Sequence, residues 1–108
     1  MSDVIAAKKE RLQELLNSYT LADNIIEEVT IATGNQILEN LEHTAQVHSI
    51  PRQIAMYRIR RETSLSLCDI GSIFKKAGHQ TVIHGIDRID SLLKFNREFR
   101  EKYGRIVG

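Results

Sequence analysis

Residues 66–93, SLCDIGSIFKKAGHQTVIHGIDRIDSLL, form two amphipathic segments around the short turn Lys75-Lys76-Ala77-Gly78. The pattern predicts a helix-turn-helix. Ser66 followed three residues later by Asp69 is a capping-box-like start, in which a side-chain oxygen takes up an orphan N–H of the first helical turn. Leu67, Ile70, Ile73 and Phe74 then share one face at steps of three and four. Gly78 offers the backbone freedom that a tight turn between helices commonly needs. Beyond it, Val82, Ile86, Ile89 and Leu93 recur at steps of four, three and four, leaving His79, Gln80, Thr81, His84 and Arg88 outside the apolar stripe.

The N-terminal residues of such a second helix are the ones that reach base edges in a major groove. His79, Gln80 and Thr81 occupy that place. Gln bonds adenine at two points, Thr bonds a base edge or touches the thymine methyl, and His donates or accepts. These three are therefore the candidates for base readout. An ordinary helical hairpin with a polar surface has the same spacing, so the pattern alone leaves both readings open.

The 108 residues suit one helical core and leave no room for a second, catalytic domain. The chain has no apolar run of about eighteen residues and no basic-then-apolar leader at Met1. With a single cysteine, Cys68, the expected compartment is a reducing cytoplasm. Cys68 lies beside the apolar face of the first hairpin helix, which predicts a buried small side chain and not a reactive thiol. His43 and His48, like His79 and His84, stand five apart without a Cys partner, so neither a metal site nor another cofactor is predicted. One cysteine and scattered serines supply no nucleophile–base pair, and no G-x-x-x-x-G-K-[ST] run is present to cradle a triphosphate. The chain is not expected to be an enzyme.

The net charge of +1 conceals a lopsided distribution. Residues 1–49 hold three Lys/Arg against eight Asp/Glu, giving −5, and residues 50–108 hold twelve against six, giving +6. A basic half suggests a surface that meets a polyanion. Its densest part follows Pro51, a residue suited to the first turn of a helix. That helix is predicted to run to about Glu62, packing Ile54, Ala55, Met56, Tyr57 and Ile59 and presenting Arg52, Gln53, Arg58, Arg60 and Arg61. Four arginines in ten residues with no acid among them point to phosphate contact.

On the N-terminal side, Ser2–Tyr19 is rich in helix formers and predicts a first helix. Thr20 with Asp23 three residues on marks the start of a second, with Ile25, Ile26, Val29 and Ala32 at helical spacing and Gly34 as its stop. Glu27 and Glu28 read as its solvated face. Asn35 can cap a further short helix through Leu41 that buries Ile37 and Leu38; Glu42–Ser49 lacks a period and reads as a loop. On the C-terminal side, Phe95, Phe99 and Tyr103 at steps of four predict a last helix with an aromatic core face, ending near Gly104.

The run PRQIAMYRIRRETSLSLCDIGSIFKKAGHQTVIHGIDRI, residues 51–89, resembles the C-terminal DNA-binding domain of the bacterial replication initiator DnaA, a Trp-repressor-like helix-turn-helix. The Pro51–Met56 opening, the Ser66-Leu67 then Ile70-Gly71 spacing, Phe74 and the His79-x-Thr81-Val82-x-His84 signature stand in that family's order. With the Ile25–Leu41 segment the resemblance extends over about residues 22–107. It implies an all-α, compact multi-helix domain, residues 21–108, behind an N-terminal helix or arm, residues 1–20, in a bacterial cytoplasm or nucleoid. It also implies base readout by His79 and Thr81 and backbone contacts from Arg52, Gln53 and Arg60. Gly78 and Gln80 stand where the family signature has Asp and Thr, Lys75 and Lys76 replace a Gly pair, and Glu42–Ser49 lacks the basic residues that enter the minor groove. The scaffold is kept and the code altered, which suits a different target site.

The function expected is that of a sequence-specific regulator of transcription or replication that binds double-stranded DNA without ATPase activity. Arg52, Gln53, Arg60, Arg61, Lys75 and Lys76 would hold phosphates while His79, Gln80 and Thr81 read bases. A homodimer, or a helper such as a polymerase subunit or DNA-bending protein, would add affinity, with the helix before Tyr19 as the contact surface. No membrane and no small-molecule substrate is expected. The alternative is a protein-interaction module that keeps the fold and binds an initiator or polymerase subunit; the acidic first half and the missing basic loop favour it.

Overall fold

A computed structural model describes residues 2–39, 46–75 and 77–108, without the side chains of Ser2 and of residues 46–48. Among the described residues five helices follow one another, α1 (Ser2–Thr33), α2 (Gln46–Glu62), α3 (Leu67–Ile73), α4 (His79–Phe95) and α5 (Arg97–Val107). The described residues contain no strand, and none of their helices is long and apolar enough to cross a membrane. The fold class is all-α.

The capping box forms as the sequence predicts. The Asp69 N–H donates to Ser66 Oγ and the Ser66 N–H donates to Asp69 Oδ2, each at 3.1 Å, and the bond from the Ser66 backbone is the main reason the Asp69 carboxyl titrates below its ordinary value. α2 is the hub of the core. Its Ile54, Ala55, Met56 and Ile59 are buried against Ala22, Ile25 and Val29 of α1, Ile70 of α3, Val82 and Ile89 of α4, and Phe99 and Val107 of α5. Each large apolar side chain so buried contributes about 1.5–3 kcal/mol. Arg58 fastens α1 to α2 through Glu28 Oε2 and Glu62 Oε2, both at 2.8 Å, and this guanidinium holds the Glu62 carboxyl below its ordinary value. Ser18 and Ser64 share a 2.9 Å hydrogen bond between α1 and the α2–α3 connection.

Several expected boundaries move. The two N-terminal helices are one, because the Thr20 hydroxyl donates back to the Leu16 carbonyl at 3.0 Å, continuing the helix that it would otherwise start. No Gly or Pro interrupts residues 2–33; the stop comes at Gly34, with φ +70° and its N–H on Thr30 O at 2.9 Å. The short helix after Asn35 is only a turn over residues 37–39, with Ile37 buried and Leu38 exposed; its continuation to Leu41, and the loop over residues 42–45, lie outside the described residues. Residues 46–49 belong to α2, so Pro51 stands at its sixth position and not in its first turn. Cys68 is exposed, since Leu67, Ile70 and Gly71 take the inward face of α3. Phe95 ends α4 and is 85% exposed. Asn96 then caps α5 by accepting the Phe99 N–H at 2.9 Å, and α5 runs past Gly104 to Val107. Phe99 and Tyr103 do form an aromatic pair, with ring centroids 5.0 Å apart.

Candidate nucleic-acid interface

The turn between α3 and α4 is set by one close approach. The Ala77 N–H donates to Gly71 O at 2.8 Å, folding the chain back over Gly71 so tightly that a Cβ there would lie 2.3 Å from the Ala77 carbonyl oxygen. This glycine, and not Gly78, is what the turn requires. Gly78 has φ −64°, ordinary for any residue, and is the N-cap of α4 with no side-chain cap of its own. The left-handed position falls on Lys75, at φ +56°, a conformation that a side-chain-bearing residue adopts at a cost of about 1 kcal/mol or more.

α4 therefore starts with His79, Gln80 and Thr81 exposed, while Val82, Gly85 and Ile89 point into the core. The three expected readers share the open end of one helix. The partial positive charge of that end and its unpaired N–H groups favour an anion.

α2 crosses α4 at Gly85, where an added Cβ would stand 3.1 Å from Gln53 Cγ and 3.2 Å from Met56 Sδ. Gln53 is thereby brought to α4, and its Oε1 accepts from Arg88 Nη1 at 3.2 Å. Arg60, seven residues beyond Gln53, lies on the same face of α2; it is exposed, with Nη1 on Leu65 O at 3.1 Å. Arg52 is half-buried, and that burial lowers its affinity for its proton. Lys75 projects from the turn itself and is exposed.

Two arginines of the basic helix are used elsewhere. Arg58 is neutralised by Glu28 and Glu62. Arg61 is turned onto α5, where its guanidinium donates to the Val107 and Gly108 carbonyls and lies 5.3 Å from the centre of the Tyr57 ring. The structure thus sets Gln53 beside α4 and does not bring Arg61 into that group. Lys76 lies outside the described residues. Arg88, on the α4 face of Thr81 and His84 at steps of three and four, is the residue that joins Gln53 to that helix.

Lys75 makes this arrangement testable. Lys75→Gly relieves a strained backbone position and should raise stability by up to about 1 kcal/mol. The same change removes a cation from the turn, and the log–log salt slope of duplex binding should flatten by about 0.9. Thermal melting and a salt titration of binding read the two effects separately; a stabilised variant with an unchanged slope would take Lys75 out of the interface.

The family described as Bacterial dnaA protein helix-turn-helix matches residues 22–89, a span that includes α2, α3 and most of α4. The Chromosomal replication initiator protein DnaA of Lachnoclostridium phytofermentans is 36% identical over 106 residues, covering 91% of this chain and 22% of that protein. Its namesake in Rickettsia canadensis is 48% identical over 57 residues, 53% of this chain and 12% of that protein. The corresponding figures for Thermomicrobium roseum are 43% over 51 residues, 47% and 11%. This chain spans less than a quarter of the length of these relatives. No solved structure matches it.

Proposed function

The chain belongs to the bacterial DnaA helix-turn-helix family, and from that premise we propose that it is a sequence-specific double-stranded-DNA-binding regulator, acting on transcription or replication without an ATPase step. DNA binding is the property of the helix-turn-helix that this family carries. The observation that supports sequence readout is the exposure of His79, Gln80 and Thr81 together at the N-terminus of α4. That helix end enters the major groove. Gln53, Arg60, Arg52, Lys75 and Lys76 hold phosphates and fix the register. Arg61 has its main role at α5 and adds, at most, a rim charge.

The proposed DNA-binding domain is residues 21–108, behind an N-terminal helix or arm of residues 1–20, a division that the start of the matched region at residue 22 supports. The protein works in the bacterial cytoplasm, on the nucleoid. Gln80 in place of the signature threonine favours adenine, which it bonds at two points, so the target differs from the initiator's own box.

The test is selection of the purified chain against a random duplex pool at physiological salt, with the bound fraction sequenced. An enriched motif containing an adenine whose mutation removes binding is the expected result. Salt-sensitive binding with no enriched motif would overturn sequence-specific readout by the chain alone and leave the protein-interaction module as the better account.

A further inference from the structure

We infer that α1 carries a self-association seam, and that two copies of this chain pair through it in antiparallel orientation. α1 packs on the domain from Leu15 onward through Ser18, Ala22, Ile25 and Val29, a row at steps of three and four. All residues from Asp3 to Glu14 are exposed. These turns extend a helix that is anchored from Leu15 onward, and their apolar side chains are left open to a partner surface.

The surface they offer has a coiled-coil period. Ile5, Lys9, Leu12, Leu16 and Tyr19 follow one another at steps of four, three, four and three, the spacing of one seam. Ile5, Leu12 and Leu16 are 56%, 60% and 61% exposed, three large aliphatic side chains left open along one stripe. At about 100° per residue, Leu16 lies roughly a quarter turn from Leu15. Leu16 therefore stays accessible where the neighbouring face of α1 already lies on the domain, and Tyr19, at the seam's end, reaches Asp69 of α3.

Charge identifies the occupant. The basic residues of α1, Lys8, Lys9 and Arg11, all precede Leu12, and the charged residues after it, Glu14, Asp23, Glu27 and Glu28, are all acidic. A parallel second copy would set Lys9 against Lys9 inside the seam. An antiparallel copy with Leu12 and Leu16 of both chains at the centre sets Lys9 of each beside Tyr19 and Asp23 of the other, and does so twice. Opposed helix dipoles add to the preference. A seam of five positions is short against the roughly 800 Å² per partner of a stable complex, so the pairing is weak and concentration-dependent in free solution. It strengthens where two copies sit on one duplex.

The inference rests on the DNA reading only for that last consequence, and its test omits DNA. Sedimentation of the purified full chain over a wide concentration range should show the average mass rising from one chain toward two. Leu12→Asp with Leu16→Asp, neither of which belongs to the core, should hold it at one chain while circular dichroism keeps the helical content of the domain. Lys9→Asp and Asp23→Lys should each weaken association several-fold, and the two together should restore it. A mass that stays at one chain up to the solubility limit would overturn the proposal and leave a partner of another sequence for the stripe. Association unaffected by the leucine pair, or charge reversals that fail to compensate, would overturn it as well. Binding of a single-site duplex by the monomeric variant tests the DNA reading independently.

Discussion

Gly71→Ala should cost the protein about 3 kcal/mol, the upper part of the range for overpacking a tight site, and lower its melting temperature by more than ten degrees, given roughly 4–8 °C per kcal/mol for a domain of this size. The new Cβ would meet the Ala77 carbonyl oxygen at 2.3 Å, and a backbone atom cannot swing aside as a side chain can. Ala77 can withdraw only by giving up its 2.8 Å bond to Gly71 O, which opens the turn that aims α4. Gly78→Ser is the matched control. Its nearest neighbour would be Thr81 Oγ1 at 4.0 Å, its φ of −64° suits serine, and a serine N-cap is worth a few tenths of a kcal/mol over glycine. Thermal or urea unfolding of the pair measures the contrast; equal stability of the two variants would mean that the Gly71–Ala77 contact is not what shapes the turn.

The same contrast shows what was legible in the sequence. The helix-turn-helix could be read because its signals are local: Ser66 and Asp69 cap each other three residues apart, and Val82 and Ile89 reach the core by period alone. The choice of glycine could not be read. Gly71 and Gly78 flank the same turn, and only the path of Ala77 decides which of them must lack a Cβ. Thr20 and Asp23 had the spacing of a second capping box, yet a threonine hydroxyl that donates to the carbonyl four residues back serves a continuous helix equally well. Charge was the least legible property. Arg58 and Arg61 look like phosphate ligands by density, but Glu28 lies 30 residues upstream of the first and Val107 lies 46 downstream of the second. Counting neighbours along the chain cannot find such partners. Elsewhere on the basic helix, Gln53 is tied to α4 by Arg88 and Arg60 to the Leu65 carbonyl.

Gln80→Ala and His79→Ala should each weaken binding to the selected duplex by about 1–3 kcal/mol, roughly five- to 150-fold, while leaving binding to random duplex unchanged. Both side chains are exposed at the first turn of α4, so neither substitution removes core packing and the melting temperature should stay within about four degrees. Loss at Gln80 should fall on one base pair, the one where adenine is preferred, because only adenine offers a paired acceptor and donor that an amide can bridge. Arg60→Ala should act differently, lowering affinity for every duplex and reducing the salt slope by about one contact. Arg61→Ala should act differently again. Its guanidinium holds the α5 C-terminal carbonyls, so stability should fall with little change in the salt slope. The four variants, assayed on the selected and a random duplex with melting measured alongside, separate readers, phosphate ligands and structural cations. If the Gln80 and His79 variants lose selected and random binding in equal measure, α4 contributes charge and shape to the complex but not sequence, and the basis for a distinct target site disappears.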